Sequence, residues 1–224
     1  MENKPKQLSE TELQELAAQL RCPDGGDGIK VGEMMNFTNG NMIAKAVEVV
    51  QIDDNDSVLE IGPGNGLHAQ DIVNSGQNIH YTGIDISTTM VEEARKLNSG
   101  SSAVRFELTD GITIPFGNGK FTKLFTTNTI YFWEHPEDYA KEIARVLQPD
   151  GIAVIGFIPK RVMEKIPFAK YGFTLYDEET VTGLLKGAGM EIVSQISETE
   201  LVTGNHGQKI EREFVVISAK LSQN

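Results

Sequence analysis

The chain has 224 residues, and its formal net charge of −12 opposes association with nucleic-acid phosphates. One domain of this length can bury a full core, and residues 1–20 lack an apolar segment of signal-peptide or membrane-span length. A single cysteine, Cys22, excludes an internal disulfide framework. We therefore expect a cytoplasmic protein with no nucleic-acid or membrane partner, and the composition leaves the oligomeric state open.

The first fifty residues predict a helical extension that precedes the main fold. Residues 9–12 (Ser-Glu-Thr-Glu) form a capping-box pattern ahead of apolar residues at helical spacing, which predicts a short helix. Four glycines and a proline predict a loop over 22–32, after which Asn41 is expected to cap a second helix. We predict that residues 1–50 form a helical extension or lid and that residues 51–224 form the main domain.

From Ser57 onward, short apolar runs alternate with amphipathic segments, a pattern typical of a parallel sheet covered by helices on both faces. Ser87 or Thr89 is expected to cap one helix, Pro136 to open a second and Asp177 to cap a third. The predicted strands are 58–61, 80–84, 104–108, 123–127, 152–157, 190–196 and 214–221.

The connection between the last two predicted strands determines the direction of the final strand. Only a polar stretch containing Gly204–Gly207 joins them, so the final strand is expected to return antiparallel. The sequence thus predicts an α/β fold: a Rossmann-like, doubly wound, seven-stranded mixed sheet with an antiparallel last strand.

A glycine-rich loop follows the first predicted strand, which ends near Glu60. Gly62, Gly64 and Gly66 occupy alternate positions, and glycine lets the backbone approach a bound group that a Cβ would hold away. A dinucleotide dehydrogenase would carry its last glycine or alanine where this chain has Leu67. Glu60 would repel a pyrophosphate but can hold an ammonium group. The loop therefore favours a nucleotide-like cofactor that includes an amino acid.

Two further acids follow the second and third predicted strands. Asp85 lies 19 residues after Gly66 and can accept hydrogen bonds from both ribose hydroxyls. Asp110 follows the third strand in the same way. Because the carboxyl ends of parallel strands share one edge of a sheet, these acids and Glu60 are expected to surround one ligand site.

These motifs resemble those of the class I S-adenosylmethionine-dependent methyltransferases, especially the small-molecule branch with the ubiquinone and menaquinone methyltransferases. The resemblance covers roughly residues 42–220 and includes a helix-to-strand turn at 147–151. It implies S-adenosyl-L-methionine as cofactor and in-line methyl transfer to a small-molecule acceptor, with Asp110 accepting from the adenine amine. The implied cofactor-binding residues are Glu60, Gly62, Gly64, Asn65, Gly66, Asp85, Ile86, Met90, Asp110, Gly111, Thr127 and Asn128.

The acceptor pocket is predicted from three segments that flank this site: the leading segment, the loop after the fourth strand and the aromatic insertion 157–176 after the fifth strand. Met35 and Asn36 lie in the leading segment, where adaptable methionine and amide side chains suit a water-excluding lid. Tyr131 and Trp133 follow the fourth strand, and core packing beneath that loop is the competing interpretation. Paired histidines that the quinone branch has after the fourth strand are replaced here by residues 130–133, a departure that counts against quinone precursors.

The sequence identifies no catalytic residue. If the acceptor must lose a proton, Tyr131, Glu134 and His135 are the local candidates for a base. The scattered histidines show no metal-ligand spacing, so no metal is expected: His68, His80, His135 and His206. Two alternatives are a nicotinamide-dependent oxidoreductase and a non-catalytic S-adenosylmethionine-binding protein.

Overall fold

The computed structural model describes residues 8–203 and 209–221. Its helices are α1 (Glu10–Arg21), α2 (Gly25–Val50), α3 (Ala69–Val73), α4 (Thr88–Leu97), α5 (Pro136–Val146), α6 (Lys160–Met163) and α7 (Glu178–Gly187). Its strands are β1 (Ser57–Ile61), β2 (His80–Asp85), β3 (Val104–Leu108), β4 (Phe121–Thr127), β5 (Leu147–Phe157), β6 (Met190–Thr203) and β7 (Lys209–Leu221). The predicted link Gly204–Gly207, with His206, lies outside the described residues.

Within the described residues, seven strands form one mixed sheet in the order β3-β2-β1-β4-β5-β7-β6. Strands β1 to β5 pair in parallel, whereas β7 runs antiparallel to both β5 and β6. The predicted Rossmann-like mixed sheet with an antiparallel last strand is confirmed. Because the strand order reverses between β1 and β4, a crevice forms at the carboxyl ends of these strands.

The central strands are buried on both faces, as expected for a parallel sheet with helices on each side. Leu59 on β1, Leu124 on β4 and Val154 on β5 are completely buried. The second half of α2 packs on β4 and β5 and contributes three buried apolar residues to this core: Met42, Ala46 and Val50.

Four of the five predicted helix starts are confirmed, those of α1, α4, α5 and α7; the start predicted at Asn41 is wrong. The capping box of α1 is complete: Ser9 N donates to the Glu12 carboxylate at 2.7 Å, and Glu12 N donates to Ser9 Oγ at 3.2 Å. Ser87 Oγ caps α4, Pro136 occupies the first turn of α5, and the Asp177 side chain caps α7.

The predicted loop over 22–32 is wrong beyond Asp24, because α2 begins at Gly25 and continues past Asn41. Glycine lowers helix propensity, so a glycine-rich helix needs tertiary support. That support includes close packing on α4, since a Cβ on Gly32 would lie 2.8 Å from Met90 Sδ. Although α2 is long, no helix in the described part of the chain is both long and apolar enough to cross a membrane.

Two strands differ from their predicted extents. The predicted turn before the fifth strand is an irregularity inside β5: Phe121 pairs with Leu147 and Lys123 with Ile152, so residues 148–151 bulge out. The final hairpin is longer than predicted, because β6 and β7 stay paired from Met190 and Leu221 out to Thr203 and Lys209. Its outer part therefore extends beyond the rest of the sheet.

Candidate active site

The glycine loop after β1 follows a left-handed backbone path. Gly62, Gly64 and Gly66 have φ angles of 73°, 57° and 63°. A Cβ on Gly62 or Gly66 would lie 2.4 Å from a protein side chain, Thr129 or Phe106 respectively. A Cβ on Gly64 would meet nothing within 4 Å. The outer two glycines are thus required by protein packing, and Gly64 faces the space that a ligand can enter.

Asp85 ends β2 beside this loop. Its side chain is 8% exposed, and its carboxylate accepts hydrogen bonds from Gly64 N at 3.2 Å and from Ser87 N at 2.9 Å. Burial raises the pKa of Asp85 to about 6, against the opposing effect of these backbone donors. The fold therefore holds a desolvated carboxyl group against the glycine loop.

Glu60 is 1% exposed at the end of β1 and is tied to two side chains. Its Oε2 accepts from Tyr81 Oη at 2.5 Å and lies 2.7 Å from His68 Nε2. Burial lowers the pKa of His68, but the neighbouring Glu60 carboxylate outweighs burial, and the pKa is raised overall. His68 is a partner that no sequence motif indicated, because its contact depends on how the loop folds back over β1.

Asp110 lies after β3 in a different environment. It is exposed, and its Oδ1 accepts from Ile112 N at 2.8 Å and Thr113 N at 2.9 Å. These backbone donors lower the pKa of Asp110, so the group is a solvated carboxylate that caps a turn.

The three acids line one cavity, which encloses about 1130 Å³ including its mouth. All of the predicted cofactor-binding residues except Asn65 and Gly66 line this cavity. Asn65 instead accepts a hydrogen bond from Asn36 Nδ2 at 2.7 Å, which links the glycine loop to α2. Further lining residues that the motifs did not indicate include Leu20, Ile61, Pro63, His68, Thr129 and Phe132.

A second cavity adjoins the first and encloses about 2190 Å³ including its mouth. Its walls come from α1, α2, the segment after β5 and the outer part of the β6–β7 hairpin. The residues that line both cavities are Leu20, Met35, Asn39, Asn128 and Phe132. Asn128, directly after β4, has a φ of 59°, which is uncommon for a residue other than glycine.

The predicted acceptor residues are divided between the two cavities. Met35 lines both, Asn36 and Trp133 line the first, and Tyr131 lines the second. Tyr131 is 2% exposed; its hydroxyl donates to Asn128 Oδ1 at 3.0 Å and accepts from Ile158 N at 2.6 Å. Trp133 Nε1 donates to Thr129 Oγ1, and the indole packs on Tyr139.

The candidate bases differ in access to this space. Burial raises the pKa of Tyr131 far above its ordinary value, which disfavours the phenolate that a base would need. His135 lies at the start of α5 and lines neither cavity, whereas Glu134 lines the first. The residues that the structure describes contain no cluster of histidine, cysteine or acidic side chains able to hold a metal ion.

The donor set fits S-adenosylmethionine, whose ammonium and sulfonium groups are cationic and whose ribose presents two hydroxyls. Glu60 and Asp85 supply buried hydrogen-bond acceptors, and their negative charges would repel a phosphate group. Gly64 provides the surface without a Cβ along which a ligand can lie.

Comparisons with known proteins agree with this geometry. A family model described as "Methyltransferase domain" matches residues 59–155. YrhH of Bacillus subtilis, designated a methyltransferase, is 32% identical over 123 residues, or 51% of this chain and 67% of YrhH. A demethylmenaquinone methyltransferase of Clavibacter sepedonicus is 26% identical over 129 residues; these cover 58% of this chain but about half (51%) of that relative.

Similarity of fold extends over nearly the whole chain. A Haloferax volcanii methyltransferase, solved in complex with the Trm112 methyltransferase activator, superposes with a TM-score of 0.76 at 17% identity. The match covers 95% of this chain and 98% of that chain. A doubly wound sheet with this strand order and an acid-lined crevice at its carboxyl edge is typical of Rossmann-like nucleotide-binding folds.

Together with the family match, these features identify the enzyme class. The chain belongs to the class I S-adenosylmethionine-dependent methyltransferases. The predicted family, cofactor and enzyme class are confirmed, and quinone methyltransferases are among the relatives. The nicotinamide-dependent alternative is therefore not supported.

Proposed function

We propose that the protein transfers the methyl group of S-adenosylmethionine to a small-molecule acceptor. The observation that carries this proposal is the junction of the two cavities at Met35, Asn128 and Phe132. A cofactor in the first cavity and an acceptor in the second would meet there. Such a junction supports direct in-line transfer between two bound small molecules.

The chain's own residues account for the cofactor's placement in this proposal. Asp85 would accept from the ribose hydroxyls, and Asp110 would accept from the adenine amine. The Glu60 hydrogen bonds from Tyr81 and His68 both fall on Oε2, so Oε1 is the atom assigned to the cofactor's ammonium group. Gly64 would allow the close backbone approach that this pose requires.

When bound, S-adenosylmethionine supplies an electrophilic methyl group and its own leaving group. The protein's task is then to align the acceptor and exclude water. We assign water exclusion to α1 and the first half of α2, which contribute Leu20 and Met35 to the junction. We therefore propose α1 and the first half of α2 as the lid within the predicted 1–50 extension, because the second half of α2 packs in the core.

An acceptor that must lose a proton requires a base near the junction. Glu134 is exposed and lines the first cavity, so it is our candidate. A role for Tyr131 as base is not proposed, because its hydroxyl is buried and hydrogen-bonded to Asn128 and Ile158.

The class of acceptor and the cellular compartment are also proposals. A small-molecule acceptor is supported by the predominantly apolar second cavity and by the name of the Clavibacter relative, a demethylmenaquinone methyltransferase. A reducing, cytoplasmic setting is supported by the single cysteine. The net charge of −12 supports the expectation that nucleic acid is not the acceptor.

Isothermal titration with S-adenosylhomocysteine tests the cofactor site. We expect binding that weakens by about tenfold or more in Asp85→Asn, since a buried acceptor of the ribose hydroxyls is lost. Asp138→Asn is the matched control, because Asp138 is exposed on α5 and lines neither cavity. Absence of binding by the unmodified protein would refute the proposed function.

Transfer of a labelled methyl group tests the acceptor class. We expect the label to appear in a low-mass product when the protein is incubated with a panel of small phenols, quinols and amines. Label found only on protein or RNA from the same cell extract would contradict the small-molecule assignment.

A further inference from the structure

The second cavity has a predominantly apolar wall drawn from α1, α2, the loop after β4, the segment after β5 and the β6–β7 hairpin. Leu13 and Leu16 come from α1, Met34 from α2, Ile166 from the segment after β5 and Val202 from β6. These side chains are only partly buried within the protein itself. They therefore leave apolar surface that a bound molecule can cover, which is the usual character of a small-molecule site.

An aromatic cluster forms the part of this wall that begins at the junction with the first cavity. The Phe173 ring centroid lies 4.6 Å from that of Phe132 and 5.6 Å from those of Tyr131 and Phe168. Phe132 belongs to both cavities. An aromatic ring bound against such side chains gains about 0.5–1.5 kcal/mol beyond its area burial when it packs edge-to-face or offset. The reactive end of the site thus offers a surface for an unsaturated or aromatic ring.

The charged groups around this cavity are already compensated or solvated. Arg212 donates to Glu200 Oε1 through Nη2 at 2.6 Å and Nε at 3.0 Å, and both residues are largely buried. Glu213 is paired with Arg161. The two remaining charged side chains that line the described cavity are Lys165 and Glu211, and both are exposed to solvent.

This arrangement disfavours a charged occupant. A carboxylate, phosphate or ammonium group buried in the second cavity would need its own counter-charge, and Arg212 is already paired with Glu200. An uncharged molecule incurs no such desolvation cost. The continuity with the cofactor cavity argues for a small molecule that reacts there, rather than a segment of another protein.

We infer that the acceptor is an uncharged, mainly apolar molecule that contains a ring. Its ring lies against the Phe132–Phe173 cluster at the junction, and its apolar remainder lies between α1 and the β6–β7 hairpin. This inference rests on the proposed function and specifies its substrate class.

Two fluorescent probes with the same aromatic body test the charge discrimination. N-phenyl-1-naphthylamine is neutral, and 1-anilinonaphthalene-8-sulfonate adds one sulfonate to it. Fluorescence titration of the full chain is expected to show the neutral probe binding about tenfold or more tightly, because the sulfonate lacks a buried partner. Equal affinity for the two probes, or tighter binding of the sulfonate, would overturn the inference. Because this test uses only the unmodified protein, it does not depend on whether a variant folds.

A pair of variants tests whether the probe occupies the second cavity. Leu16→Glu places a charge in its wall, whereas Leu97→Glu places the same charge on an exposed position of α4 away from both cavities. We expect Leu16→Glu to weaken the neutral probe by about tenfold and Leu97→Glu to leave it unchanged. Both should keep the affinity for S-adenosylhomocysteine, which also reports that they are folded.

The outcomes separate this inference from the proposed function. Retained cofactor binding with no effect of Leu16→Glu on the probe would overturn the apolar acceptor alone. Failure of the unmodified protein to bind S-adenosylhomocysteine would overturn the methyltransferase proposal, and with it the acceptor's role. A dimer that excludes the probe and is dissociated by Leu16→Glu would show that a second copy covers this surface, which also overturns the inference.

Discussion

Burial raises the pKa of Asp85 from an ordinary value of 3.8 to about 6. In that pH interval the folded chain retains a proton that the unfolded chain has lost, so stability falls as pH rises from about 4 to 6. The cost is fully present at pH 7. Asp85 thus maintains a desolvated carboxylate at the expense of stability, a trade that is common at binding sites.

We predict that Asp85→Asn raises the free energy of unfolding at pH 7, although it impairs cofactor binding. The shift of about two pKa units corresponds to about 3 kcal/mol, and loss of one acceptor for the Gly64 and Ser87 amides offsets part of it. The expected net gain is about 1–2 kcal/mol at pH 7; at pH 5 the cost of the charged carboxylate is smaller by about 1.3 kcal/mol, so most of the gain disappears. Urea unfolding at both pH values measures this; a gain independent of pH would contradict the assignment.

At the scale of the elements, glycine serves different purposes in α2 and in the loop after β1. Gly40 lies in α2, and a Cβ placed on it would meet nothing within 4 Å beyond its chain neighbours and the helix's own backbone, so Gly40→Ala is expected to stabilise the protein by about 0.5–1 kcal/mol. Gly66 in the cofactor loop is the contrast, because its φ is 63° and a Cβ would lie 2.4 Å from Phe106. Gly66→Ala is expected to cost about 2–4 kcal/mol. Urea unfolding of both variants measures these changes. Equal changes in the free energy of unfolding would refute the distinction between the two glycines.

The β6–β7 hairpin is fastened to α2 by a buried polar network. Arg212 pairs with Glu200 and donates to Thr38 O, while Asn41 Nδ2 donates to Glu200 Oε2 at 2.9 Å. Removing one charge leaves the other buried and unpaired. The network therefore fixes the distance across the second cavity.

We predict that Arg212→Met destabilises the protein by about 3–5 kcal/mol, because Glu200 is then an uncompensated buried charge. The double variant Arg212→Met with Glu200→Leu should recover most of this loss, to within about 1 kcal/mol of the parent. A double-mutant cycle from chemical unfolding measures the coupling. Additive losses would show that the two residues act independently.

For the molecule as a whole, cofactor binding and folding are linked. S-adenosylhomocysteine at a hundred times its dissociation constant should stabilise the folded chain by about 2.7 kcal/mol. For a domain of this size we expect Tm to rise by about 5–10 °C in differential scanning fluorimetry. At the same concentration of S-adenosylhomocysteine, Asp85→Asn should lose about half of the shift or more, and NADH should produce none. A comparable shift with NADH would contradict the cofactor assignment.

The sequence was sufficient for the sheet because its strands, caps and turns are local signals. Alternation of strand and helix, the glycine loop and the strand-end acids placed Glu60, Asp85 and Asp110 at one edge before any contact was known. The part of α2 before Asn41 was missed because glycine propensity is local, whereas the packing of this segment on Met90 is not. His68 and Phe132 carried no motif, since only the folded loops bring them to the cavities.

The position of β7 between β5 and β6 has a consequence for synthesis on the ribosome. When β6 has emerged, β7 is still inside the exit tunnel. The edge of β5 that later pairs with β7 therefore exposes unpaired backbone N–H and C=O groups. Such an edge is prone to pairing with other chains. Chaperone protection of the nascent chain should therefore matter most in the interval before residues 209–221 emerge and complete the sheet.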